Sequence, residues 1–143
     1  MIQRRLFVFG APFALAACTP EARDAVLAKI KEISSVILAN AENWFGKMTI
    51  AESALENLRA TDKQIQEATT LGEVARAAVV QLVRIIDTLI YLASLTPLPS
   101  TVVSALRMAS QALSAIIGIA SSHGGSGMAP TLDEALNALR AAR

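Results

Sequence analysis

Apolar residues recur along most of the chain at alternating spacings of three and four, as in helices that pack on other helices. In the first such stretch, the seam runs through Val26, Ile30, Ile33, Ile37, Asn40 and Trp44. The whole pattern predicts helices at about 21–45, 49–68, 71–95, 100–122 and 131–142. Glycines and prolines are few and clustered, whereas a sandwich or barrel needs a turn signal every eight to twelve residues or so. We therefore predict an all-α protein, a bundle of four to five helices.

Pro97 and Pro99 separate the third and fourth predicted helices and force a tight connection. These two helices should form an antiparallel hairpin at the centre of the bundle. The hairpin is poor in charge, because Arg107 is the only formal charge from residue 88 to residue 132. A helix that is apolar on most sides is buried in a core, in a partner or in a membrane. All three interpretations of the hairpin stay open at this point.

The second predicted helix is the most charged, and its start carries a capping signal. Thr49 followed by Glu52 fits a capping box. That start would place Ile50, Leu58 and Ile65 together on the side of the helix that faces the core.

Four residues are candidates for an interaction surface: Trp44, Phe45, Tyr91 and Arg107. Trp44 and Phe45 would serve as an exposed anchor for lipid or a partner, although the position of Trp44 on the seam favours core packing. Asn40 on the same seam would be a buried polar group that fixes helix register, as buried asparagines do in coiled coils.

The first eighteen residues have the organisation of a secretory signal. Arg4 and Arg5 form a basic start, an apolar stretch of about ten residues follows, and small residues lead to the only cysteine, Cys18. The apolar stretch is too short to span a bilayer, which takes about 20 residues. Read as ordinary structure, the same segment would be an apolar helix packed in the core, with Cys18 as a buried thiol.

The sequence Leu15-Ala16-Ala17-Cys18 resembles the lipobox of bacterial lipoprotein precursors. The resemblance implies a signal peptide at 1–17, a mature helical domain at 18–143, and covalent diacylglycerol and an acyl chain on Cys18. Thr19, in place of an aspartate, implies an outer-membrane lipoprotein that faces the periplasm. The two arginines leave both the general secretory route and the twin-arginine route open.

The rest of the sequence offers little chemistry. His123 is the only histidine and lies in a glycine-rich loop, without the further ligands that a zinc or calcium site needs. No nucleophile with a base, and no phosphate-binding loop, is visible. A net charge of +1 without a basic run gives no footprint for nucleic acid. We therefore expect no enzyme, no metal and no cofactor other than the lipid.

These observations favour a lipid-anchored, non-catalytic structural or interaction protein of the bacterial cell envelope. Its partners would be membrane lipid through the anchor, and a second copy or an envelope protein. A small lipoprotein of a phage or prophage would fit the same description. One alternative is a membrane-perturbing protein, such as a holin or exclusion factor, that inserts its apolar hairpin. Another is a carrier of a small apolar ligand between the third and fourth helices.

Overall fold

The computed structural model describes residues 20–118 and 130–142, and these ranges contain five α-helices and no strand. The helices are α1 (Pro20–Phe45), α2 (Glu52–Glu67), α3 (Glu73–Ala93), α4 (Ser100–Ile117) and α5 (Leu132–Ala141). A 3-10 turn, Thr49–Ala51, precedes α2. The predicted all-α bundle is confirmed. The predicted signal peptide, Cys18 and His123 lie outside the described residues.

The helices form a closed ring in chain order, because each packs against the next and α5 packs against α1. The α3–α4 hairpin is antiparallel: Arg76, early in α3, reaches the carbonyl of Ile117 at the end of α4. Farther along α3, Asp87 meets Ser110 of α4. The bundle thus has a Pro20 end, with the α2–α3 loop and the start of α3, and a Phe45 end, with the end of α3 and the start of α4.

The core fills the inside of this ring and takes side chains from every helix. One side of each hairpin helix contributes to the core. The fold itself therefore buries part of the apolar surface of these two charge-poor helices. The largest fully buried side chains are Phe45, Ile30, Ile33, Ile37, Leu58, Ile65, Leu82, Ile86, Leu89, Leu106, Leu113 and Leu139.

The predicted start of α2 is wrong. Thr49 lies in the 3-10 turn, and α2 begins at Glu52 with Ala51 as an N-cap that makes no side-chain hydrogen bond. A 3-10 turn takes about 3.0 residues rather than 3.6, so the helical phase shifts across it. As a result Ile50, predicted for the core side, is 62% exposed, whereas Ala51 is buried.

The fourth helix ends five residues before its predicted end at residue 122, at Ile117. Gly118 has a φ of 77°, in the left-handed region that only glycine adopts without strain. A residue in that conformation cannot continue a right-handed helix and closes it instead. The third helix is also shorter than predicted, since Gly72 before it is extended.

The short helix α5 closes the ring and is held by specific contacts. Thr131 and Glu134 form a capping box, the motif that was predicted at Thr49 and Glu52. The Thr131 hydroxyl accepts a hydrogen bond from the Glu134 amide, and the Glu134 carboxylate accepts one from the Thr131 amide. Asn40 is buried, and its Nδ2 donates to the Leu139 carbonyl at 2.8 Å. α5 therefore runs in the same direction as α1 and in a fixed register with it.

Candidate interaction surface

Trp44 and Phe45 do not form an exposed anchor. Phe45 is 0% exposed, so its assignment to an interaction surface is wrong. Adjacent helical residues point about 100° apart, and Phe45 is the one that turns into the core. Trp44 is half-buried and packs edge to face against it, with ring centroids 6.4 Å apart. This pair stabilises the last turn of α1.

Tyr91 and Arg107 both lie on the outside of the hairpin. Tyr91 is 64% exposed near the Phe45 end, and Leu95, one turn later, is 53% exposed. Arg107 is exposed on α4. It precedes Ser110 by three residues, and the antiparallel pairing of Ser110 with Asp87 puts it level with residues 90–91 of α3. The fold therefore brings Tyr91 and Arg107 to the same height on neighbouring helices.

A continuous row of exposed side chains runs along the outer side of α3 and into the turn that follows it at Leu95. We call it the α3 stripe: Ala77, Gln81, Arg84, Thr88, Tyr91 and Leu95. Its spacing alternates between four and three residues, which is the heptad spacing of a helix that packs on another helix. Sequence reasoning named Tyr91 as a candidate for an interaction surface but missed Ala77 and Leu95. Ala77 and Leu95 lie at helical spacings from Tyr91, and this spacing could have identified them. They were counted instead with the apolar residues that surround most of the helix.

The outside of the hairpin is nearly uncharged. From residue 77 to residue 118 the charged side chains are Arg84, Asp87 and Arg107, and Asp87 is half-buried. Asp87 Oδ1 accepts a hydrogen bond at 3.1 Å from Ser110, which is itself buried between the helices. We call the exposed residues of α3, α4 and the turn between them in this range the hairpin face.

The other three helices, α1, α2 and α5, carry charged side chains that form ion pairs between helices. The ion pairs, 2.7–2.8 Å long, join Lys29 to Asp133, Arg59 to Glu42 and Arg140 to Glu32. The hydrogen bond to Asp133 is the main cause that raises the pKa of Lys29 above its ordinary value. The molecule therefore has a solvated, charged side formed by α1, α2 and α5, and a hairpin face with little charge.

Among the described residues no group of three or more histidine, cysteine or acidic side chains is placed to hold a metal. Three of the clefts lined by described residues lie at the ends of the bundle. Two are at the Pro20 end, of about 430 Å³ around residues 64–75 and about 320 Å³ beside Arg23. The third, of about 370 Å³, lies beside residues 46–49 and α2.

Within the described ranges, α4 is long and apolar enough to cross a membrane by length and composition. Half of its 18 residues are buried inside the bundle. Its buried side includes Leu106 and Leu113, which contact the core. The core helix of a soluble protein meets the same criterion, so this property alone does not distinguish the two environments.

One large apolar side chain at the Pro20 end stands out. Val74, in the first turn of α3, is 82% exposed. It lies close to the start of α1, because Arg23 and Asp24 line one cleft together with Leu71 and Gly72 of the α2–α3 loop. Sequence reasoning did not single out Val74, since nothing in the local pattern indicates which end of the helix is left uncovered.

No protein-family model, curated protein or solved structure matches this chain.

Proposed function

We propose that the chain is a lipid-anchored, non-catalytic structural protein of the bacterial cell envelope that assembles with a second copy of itself through the hairpin face. The anchor would be diacylglycerol and an acyl chain on Cys18, in the outer membrane and facing the periplasm. The observation that carries the proposal is the contrast between the ion-paired side of the bundle and the nearly uncharged hairpin face.

The low charge of the hairpin face favours a second copy as its partner. A strongly acidic or basic partner would lose the hydration of its charges against a face that offers few counter-charges. A second copy of the hairpin face carries few charges, so it loses little hydration when the two faces meet. From residue 77 to its end at Ala93, α3 is about 26 Å long, and two helices side by side are about 20 Å wide. The face is therefore about 500 Å² per copy, or about 1,000 Å² in total, which is the smallest area expected of a biological interface.

The α3 stripe gives this assembly a geometry. Two copies anchored in one membrane leaflet are related by a two-fold axis along the membrane normal, so their α3 helices run in parallel. Equivalent stripe positions then meet across the axis, as in a parallel coiled coil. Arg84 lies at the middle of the stripe, where a single charged residue sets the register and the number of helices at some cost in stability.

Charge introduced into the stripe should separate the copies. The Ala77→Glu variant of the mature, lipidated protein in detergent should be a monomer by light scattering corrected for detergent, whereas the native protein should be a dimer. Ala60→Glu is the matched control, because Ala60 is an exposed helical alanine on α2. A native protein that is monomeric at tens of micromolar, or equal loss of dimer in both variants, would contradict the proposal.

The anchor is tested separately. Radiolabelled palmitate should be incorporated in a bacterial host by the native chain and not by Cys18→Ala. Equal labelling of both chains would refute lipidation at Cys18, whatever the oligomeric state proves to be.

Insertion of the hairpin into a bilayer is the second candidate, and the apolar length of α4 is the observation that favours it. Insertion would expose the core side of α4, including Leu106 and Leu113, to lipid instead of to the other helices. A Cys18→Ser variant distinguishes the two functions. Release of this variant by carbonate extraction excludes insertion, and its retention in the membrane would support insertion over the proposed assembly.

A further inference from the structure

The chain between the proposed anchor and the bundle is very short. Only Thr19 lies between Cys18 and Pro20, where α1 begins. An extended chain advances at most about 3.6 Å per residue, so the first residue of α1 lies within about 7 Å of the Cα atom of Cys18. If Cys18 carries lipid, as the proposed function requires, the Pro20 end is held at the level of the lipid headgroups.

The residues at that end include the most exposed large apolar side chain among the described residues. Val74 is 82% exposed and follows the loop that packs beside Arg23. Leu71, in the same loop, is half-buried. An apolar side chain this exposed loses hydrated surface when it meets the boundary between headgroups and acyl chains.

We propose that Val74 contacts the membrane that holds Cys18, and that the bundle therefore stands on its Pro20 end with the Phe45 end directed away from the lipid. Lipid is the occupant because only Thr19 separates the proposed lipid-bearing Cys18 from α1, which leaves no room for a separate protein between this end and the bilayer. Asp24, Glu67 and Glu73 lie at the same end as Arg23 and Arg76. This end therefore has no excess of positive charge, and the contact depends on the apolar side chain.

The opposite end provides the comparison. The 26 residues of α1 span about 39 Å, which puts the Phe45 end far from the headgroups in an upright bundle. Ile50 is 62% exposed there on the α2 side, and Leu95 is 53% exposed there on the hairpin face. A bundle lying flat on either side would bring one of these two residues to the membrane together with Val74.

The single cysteine of the chain makes the test direct. Lipidation converts the Cys18 thiol into a thioether, so a cysteine introduced at position 74, 50 or 95 is the only free thiol of the mature protein. Each of Val74→Cys, Ile50→Cys and Leu95→Cys is labelled with a fluorophore and reconstituted into vesicles of phosphatidylethanolamine and phosphatidylglycerol. Lipids with a spin-labelled headgroup then quench any label that touches the bilayer surface.

We expect the label at position 74 to lose most of its fluorescence, and the labels at positions 50 and 95 to keep theirs. Equal quenching at position 74 and at either other position would show a bundle that lies flat and would overturn the proposal. Absence of quenching at position 74, in protein whose mass includes the lipid, would overturn the proposal and leave the anchor intact. Absence of the lipid mass would refute the anchor, and the upright orientation with it.

Discussion

Asn40 is a polar side chain placed where the seam of α1 is otherwise apolar. It is 4% exposed, and its Nδ2 donates to the Leu139 carbonyl in the last turn of α5. Asn40→Ala removes this donor from a buried carbonyl, so we expect a loss of about 1–3 kcal/mol in the free energy of unfolding by urea. Asn137→Ala, at an exposed position of α5, is the control and should change it by less than about 0.5 kcal/mol. Equal losses would mean that the hydrogen bond does not hold α5 on α1.

Gly46 ends α1 at a place where a side chain has no room. A Cβ atom there would overlap the carbonyl oxygen of Glu42, one turn earlier. We expect Gly46→Ala to lower the free energy of unfolding by roughly 1–3 kcal/mol, because backbone has to move. Gly72→Ala is the matched control, since its Cβ would meet only the Thr70 hydroxyl at 3.6 Å. Thermal unfolding that ranks the two variants in the opposite order would contradict this explanation.

Among the elements, α5 is the shortest α-helix that the structure describes, and we expect its docking on α1 to depend on pH. The hydrogen bond from Lys29 to Asp133 raises the pKa of Lys29, so the protonated amine favours the folded state. This contribution is complete below the pKa of Lys29 in the unfolded chain and is lost as the pH rises through the raised value. We therefore expect the free energy of unfolding to fall with rising alkaline pH, and less steeply in Asp133→Asn.

Urea denaturation at several alkaline pH values measures how steeply the free energy of unfolding falls with pH in the native protein and in Asp133→Asn. The two proteins differ only at position 133, so the difference between the slopes isolates the pair. Glu56→Gln, which removes an exposed carboxylate from α2, should keep the native slope. A slope for Asp133→Asn equal to the native one would show that the pair does not contribute to the docking of α5.

Helix spacing alone predicted the class of fold, because the core positions Ile30, Ile33 and Ile37 repeat with the period of a packed helix. The prediction from helix spacing failed where the backbone conformation departs locally from an α-helix. Gly118 ends α4 through a left-handed conformation, and the 3-10 turn before α2 moves Ile50 out of phase. Such effects depend on local geometry that an average period does not contain.

At the scale of the whole molecule, the spacing of apolar residues could not predict which of them the closed ring of helices buries. Tyr91, a surface candidate from the sequence, is exposed, whereas Phe45 was assigned wrongly and Val74 was missed. Burial of these three depends on which neighbours close over the ends of the helices. That is a property of the closed ring, in which α5 reaches back to α1 across more than 90 residues of chain.

The two proposals together fix how copies would be arranged, because an upright bundle with its anchor at one end can pair only in parallel with a neighbour in the same leaflet. Thr88, in the middle half of the α3 stripe, would then lie close to its equivalent in the second copy. We expect Thr88→Cys in intact membranes to form a disulfide-linked dimer under mild oxidation, since a disulfide needs Cα atoms within about 7 Å. Ala60→Cys, equally exposed but on α2, should stay monomeric on non-reducing gels. Efficient cross-linking at position 60, or none at position 88 in protein that light scattering shows to be dimeric, would exclude the parallel arrangement.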